Sequence, residues 1–154
     1  MDYTEDDCRR ETSEHIESVF KLLDKIICKL SLRGIQHDAS KMQEPEIKIF
    51  TEFTPLLKTV NYGTPEYKEF LEGMDVALKH HYESNRHHPE HFENGISGMN
   101  LVDIIEMFCD WTAATKRMKD GGDIHRSIEV NRARFSIPEE LCAIFENTVD
   151  MLQD

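Results

Sequence analysis

"GIQHDASK", residues 34–41, lies between two runs of residues whose apolar positions keep helical spacing, and its reading decides the fold. Upstream, from Thr12 to Arg33, Ile16, Val19, Phe20, Leu23, Ile26, Ile27 and Leu30 recur at intervals of three and four, the spacing of a helix with one buried face. Gly34 is a natural stop for that helix. Downstream, from Glu46 to Leu57, Ile47, Ile49, Phe50, Phe53, Leu56 and Leu57 predict a second helix, with Pro45 tolerated in its first turn. The octapeptide therefore joins two helices while carrying a histidine, an aspartate, a serine and a lysine.

The rest of the chain extends the same pattern. "VNYGTPEY" reads as a loop, after which Thr64 caps a helix with Pro65 at its first position, and Tyr67, Phe70, Leu71, Met74, Ala77, Leu78 and His81 continue one face. Pro89, Gly95, Gly98 and two asparagines make Ser84 to Gly98 a loop. Asn100 caps a long helix through Leu101, Ile104, Ile105, Phe108, Trp111 and Thr112, closed by Gly121-Gly122. A short helix follows near Ile124 to Arg134, and Ser136-Ile-Pro-Glu139 has capping-box spacing before Leu141, Ile144, Phe145, Val149 and Leu152. No segment alternates long enough to argue for a strand. The expectation is an all-α, single-domain bundle of about six helices over residues 1–154.

Composition agrees with a folded chain: 39% hydrophobic and 31% charged residues, in 154 positions, suit one globular domain. No apolar run approaches the roughly 20 residues that cross a bilayer, and "MDYTEDDCRRE" is acidic where a signal peptide is basic, so a cytoplasmic protein is expected. A net charge of −12 disfavours non-specific binding to nucleic acid. A small phosphorylated substrate stays compatible with it, because a bound metal reverses the local potential. Nothing in the sequence excludes a homodimer. Cys8, Cys28, Cys109 and Cys142 form no C-x-x-C pair and are read as buried free thiols.

The chemistry concentrates in histidines and aspartates. Five of the eight histidines, His80, His81, His87, His88 and His91, fall within twelve positions, three of them on the loop that also holds Arg86. His15 sits one turn before Val19, toward the apolar side of its helix, and Asp103, Glu106 and Asp110 follow each other on one flank of theirs. Imidazole and carboxylate together select Mn, Fe, Co, Ni or Zn, whereas a site for Mg alone is built mostly of oxygen. In chain order the ligands are His15, His37-Asp38, His80 or His81, and Asp110. Against this stand plainer readings: a core histidine at 15, a helix-capping Asp38, loop histidines at the surface, and a Trp111 that belongs to the core.

That order resembles the HD superfamily of metal-dependent phosphohydrolases, in which a histidine, a His-Asp pair and a distant aspartate lie on a helical bundle. "HDASK" is similar to the HD-x-x-K of the subgroup that includes the HD-GYP phosphodiesterases and myo-inositol oxygenase. His80-His81, followed 29 to 30 residues later by Asp110, is similar to that group's paired histidines and terminal aspartate. Two departures are visible: no histidine lies between Asp38 and His80, and no "GYP" follows the pair. "HHPEHFENGI" and "EMFCDWTAAT" also resemble a small uncharacterised family found in phages and bacteria.

The resemblance implies one or two divalent transition-metal ions held by His15, His37, Asp38, His80 and Asp110. His81, Arg86, His88 and His91 would be further ligands or substrate contacts. The implied activity is hydrolysis of a phosphate ester in a nucleotide or a related small metabolite by metal-activated water. Asp38 would ligate and orient the water, and Lys41, Arg86 and His88 would neutralise phosphoryl charge. Glu44 stands as a base behind the ligands, and Arg132 or Arg134 is placed to reach a phosphate. The alternatives are a di-iron oxygenase of the myo-inositol-oxygenase type and a non-catalytic, metal-containing binding or inhibitor module.

Overall fold

A computed structural model describes residues 3–57, 59–60, 64–116 and 122–152. The chain is all-α: seven helices and four short 3-10 turns, with no strand among the described residues. None of these helices is long and apolar enough to cross a membrane. The chain divides into two units, residues 1–36 and 37–154.

The first unit is helix α1, Glu5–Gln36. It begins earlier than the apolar periodicity indicates, because Thr4 Oγ1 accepts from the Asp7 backbone N–H while Asp7 Oδ2 accepts from that of Thr4, a reciprocal cap. Acidic Glu5, Asp6 and Asp7 in its first turn suit the positive end of the helix dipole. It also runs past Gly34 to Gln36. The face expected to be buried is not: no residue of α1 is buried, and Phe20 is 68% exposed. Periodicity identifies an apolar stripe but not what covers it.

In the second unit the chain turns at Asp38, whose φ of 55° is left-handed, a conformation that a short polar side chain tolerates better than most. A 3-10 turn, Ala39–Met42, leads to α2, Glu46–Leu57. Thr64 caps α3, Pro65–Gly73, through Oγ1 accepting from the Tyr67 N–H at 3.2 Å. The single helix expected to reach His81 is broken here, and α4 is Asp75–Ser84. At the break Gly73 packs closely on α2, where a Cβ would lie 2.4 Å from the Phe53 ring. Residues 61–63 of the expected loop lie outside the described residues.

The segment after α4 folds into two further 3-10 turns, Pro89–His91 and Gly95–Gly98, before α5, Leu101–Lys116. Asn100 Oδ1 accepts from the Val102 and Asp103 N–H groups, as a cap should. The Gly121 of the expected helix closure lies outside the described residues. Helices α6, Ile124–Phe135, and α7, Glu139–Val149, complete the unit. Ser136 does not form the capping box. It ends α6 in the left-handed region, and the following Ile137, buried in the core, returns its N–H to the Arg132 carbonyl.

Helices α5, α6 and α7 close over Met107, Phe108, Ile128, Phe145 and Val149, with Phe108 and Phe145 stacked at 4.9 Å. Trp111 packs edge-on against Phe145 and belongs to this core. The expectation of buried thiols holds for Cys142 alone; Cys8, Cys28 and Cys109 are exposed. For Cys109 the reason is register, since it projects away from the face that carries buried Glu106, Met107 and Phe108.

Candidate metal centre

The turn at His37-Asp38, the end of α4, the loop after it and one face of α5 bring six donor side chains together. Asp38, His81, His87 and His88 form one group able to hold a metal ion, and His37, His87 and Asp110 a second, with His87 in both. His81 Nε2 lies 3.4 Å from Asp38 Oδ1 and 2.8 Å from His88 Nε2, and His87 Nε2 lies 3.5 Å from the same Asp38 oxygen. In the second group His37 Nε2 is 3.5 Å from Asp110 Oδ1. Donors about 2.1 Å from a tetrahedral ion stand roughly 3.4 Å apart, so these separations match a coordination shell.

Whether the residues suit an ion is tested by what they lack. Asp38 Oδ1 and His87 Nε2 are buried side-chain atoms without a hydrogen-bond partner. A buried polar atom left unpaired costs about 1–3 kcal/mol, and two facing the same point fit an ion there.

Behind the donors stands a layer of carboxylates. Glu46, fully buried at the start of α2, accepts from His80 Nδ1 at 2.7 Å through one oxygen and from His81 Nδ1 at 2.8 Å through the other. Glu106 Oε1 lies 2.9 Å from His37 Nδ1 and 3.3 Å from His87 Nδ1. A carboxylate on Nδ1 fixes the ring proton there and turns the Nε2 lone pair inward, as in carboxylate–histidine–metal triads. Asn85 ties the end of α4 to the 39–42 turn, donating to Ser40 Oγ at 2.7 Å and to the His81 carbonyl at 2.8 Å.

The electrostatics divide the histidines. The Asp110 contact, then that of Glu106, raises His37 to about 10 against the opposing effect of burial. Burial, followed by the neighbouring His87 and His81, lowers His88 to about 3, so its ring is neutral at physiological pH. Burial, with Lys41 second, also lowers His81. Burial works to raise Asp38, but the Lys41 hydrogen bond and the charges of Lys41, His37 and His81 outweigh it and hold the carboxyl below its ordinary range. Asp110 is lowered likewise, burial again opposing and His37 prevailing.

The expected site residues fare unevenly. His37, Asp38 and Asp110 lie close together, with His81 and His88 beside them. His80 turns away: its side chain is 40% exposed and belongs to neither group. His15 lies exposed on α1, in the first unit. Arg86 is engaged twice over by Asp103, Nε at 3.2 Å and Nη2 at 2.9 Å, and stacks on Phe92. His91 donates through Nδ1 to the Tyr82 carbonyl, pinning the loop. Glu44 is an exposed partner of Lys48, Arg132 pairs with Glu139, and Arg134 pairs with Glu90. Lys41 Nζ sits 2.6 Å from Asp38 Oδ2, the oxygen that also lies 3.6 Å from His37 Nε2. Sequence reasoning missed His87, only 2% exposed despite its loop position, and Glu46, which the sequence marks only as the first residue of a helix.

A cleft of about 640 Å³ opens beside the first group, with Lys41, His81 and His88 in its wall.

The class defined by this fold and site is an all-α protein whose buried histidines and aspartates can hold a metal ion. The chain belongs to a family of unknown function, DUF5662, whose model matches residues 4–153. No curated protein and no solved structure matches it.

Proposed function

We propose that the chain is a metal-dependent phosphohydrolase of the HD type, acting on a nucleotide or a related small phosphorylated metabolite. The observation that carries the reading is the pair of buried, unpartnered atoms, Asp38 Oδ1 and His87 Nε2, within a cluster whose outer ring nitrogens are held by Glu46 and Glu106. Asp38, His81, His87 and His88 would hold a divalent transition-metal ion, with His37, His87 and Asp110 as the alternative set, since His87 has one Nε2 lone pair to give. Bound there, such an ion polarises phosphoryl oxygens and lowers the pKa of water toward neutrality.

The chain's own groups do the remainder. Asp38 Oδ1 faces His81 and His87, while Oδ2 holds Lys41 and lies 3.6 Å from His37 Nε2, and so ties the lysine to the edge of the centre. Lys41 is placed in the cleft wall to donate to a phosphoryl oxygen as negative charge develops on it. The water oxygen forms a bond to phosphorus while the bond from phosphorus to the ester oxygen breaks. One water proton ends on the departing alcohol and the other remains with phosphate.

The test is metal analysis of protein purified without a histidine tag, then a screen of phosphate esters with Mn, Co, Ni, Zn and Mg. Bound transition metal together with turnover upholds the reading. Iron accompanied by oxygen consumption and no phosphate release would replace it with the oxygenase, and metal without any turnover would favour a binding module.

A further inference from the structure

The cleft beside the centre differs in character from the centre itself. At one end stand Lys41, His81 and His88; the remainder is walled chiefly by apolar side chains, among them Ile47, Phe50 and Pro55 of α2 and Leu78 of α4. No carboxylate lines it among the described residues, so it offers no ion-pair partner to a cationic group. Its polar side chains away from the centre are the hydroxyls of Thr51, Thr54 and Tyr82, few against the many hydrogen bonds of an unmodified sugar. At about 640 Å³ it is wide enough for a small organic ligand, and it is open to solvent along one side.

We infer that the alcohol portion of the substrate is apolar, an aryl or branched alkyl group lying along Phe50 and Leu78, with its phosphoryl group at the Lys41–His81–His88 end. This rests on the phosphohydrolase reading but turns its substrate from a nucleotide to another small phosphate ester. Nucleotides and sugar phosphates become poorer substrates than phosphate esters of aromatic or branched alcohols. The phosphoryl end supplies binding common to all esters, and the α2–α4 wall supplies the discrimination.

Phosphonates test this without turnover, because their carbon–phosphorus bond is not hydrolysed. Phenylphosphonate and methylphosphonate are titrated calorimetrically into the metal-loaded full chain and into its Thr51→Trp variant, which narrows the cleft on an exposed residue of α2. Burying a phenyl ring should make phenylphosphonate bind about tenfold tighter or more than methylphosphonate in the wild type. In Thr51→Trp the difference should shrink while methylphosphonate binding and metal content stay unchanged. Equal affinities in the wild type, or an unaltered difference in Thr51→Trp, overturn the inference while leaving the phosphohydrolase reading in place. Failure of both phosphonates to bind metal-loaded protein overturns the two together.

Discussion

Asp38 Oδ1 and His87 Nε2 face one another at 3.5 Å, both buried and neither hydrogen-bonded. The two residues come from different segments, the turn after α1 and the loop after α4, so neither local propensity nor helix packing explains their meeting. An ion between them would supply the missing partner to both.

His87 belongs to both donor groups, and Asp38 to one. His87→Ala should therefore weaken binding at either group, whereas Asp38→Ala should weaken the group of His81 and His88 and leave His37, His87 and Asp110 able to bind. Elemental analysis after dialysis against a weak chelator reads the stoichiometry, with circular dichroism as the control for folding. Wild-type metal content in His87→Ala would remove the basis for the centre.

The adjacent histidines of α4 should behave differently. His81 is buried among the donors, while His80 shares only Glu46 and is partly exposed. His81→Ala should lose metal; His80→Ala should keep it, with a small loss of affinity through the released Glu46. The reverse result would place His80 inside the centre and reject the orientation of α4.

How far these features were legible in the sequence depends on their range. Helices α2, α5 and α7 follow from apolar periodicity, and the His37-Asp38 pair with Asp110 follows from residue chemistry in the right order. Adjacent helical positions point about 100° apart, so the choice between His80 and His81 depends on how α4 is rotated against α2, which no local pattern states. The close approach at Gly73 is to the Phe53 ring, twenty residues earlier. His87 looks like any loop histidine until the turn at Pro89–His91 folds it under, and Glu46 acquires its role only when α4 is placed over α2. Contacts distant in sequence decided each of these.

Glu46 and Glu106 should act as positioning residues. Glu46→Gln keeps the shape but lets the amide present a donor to His81 Nδ1, which disturbs the tautomer that points Nε2 inward. Metal affinity should fall by about 10–100-fold with the fold intact, and Glu106→Gln should do the same through His37 and His87. Competition titrations against a fluorescent chelator measure this, and unchanged affinity in both variants would reduce these carboxylates to packing.

The metal-free protein should show two opposed pH dependences. His37 is raised from 6.5 to about 10, so its contribution is complete below 6.5 and is lost as pH rises toward 10. His88 is lowered to about 3, so below 6.5 the unfolded chain takes up a proton that the folded chain refuses, and stability falls. His81, also lowered, adds to that acid limb. Asp38 and Asp110, both lowered from 3.8, matter only below that value, which leaves pH 4–6.5 as the histidine window. Urea midpoints should peak near pH 6.5, and His88→Ala should flatten the acid limb. A wild-type midpoint that rises steadily from pH 7 to 10 would contradict the placement of His37 between Asp110 and Glu106.

Lys41 separates catalysis from metal binding. Its ammonium has no lone pair with which to ligate, yet it sits 2.6 Å from Asp38 Oδ2 and in the wall of the cleft, where the phosphoryl group of the proposed substrate would lie. Lys41→Ala should leave the centre loaded, because Asp38 Oδ1 and the histidines remain. It should slow turnover by the loss of one charge-assisted contact made as charge develops, on the order of 2–3 kcal/mol by analogy with deleted oxyanion donors. Lys41→Arg should restore part of that rate, since charge is kept while the donor geometry changes. Because removing Lys41 also frees Asp38 from its partner, the Asp38 carboxyl should titrate higher, and the acid limb of the pH–rate profile should move to higher pH. Steady-state kinetics across pH on metal-saturated wild type and both variants decides the matter. If Lys41→Ala loses metal in proportion to its loss of rate, the lysine serves only to hold Asp38 in place.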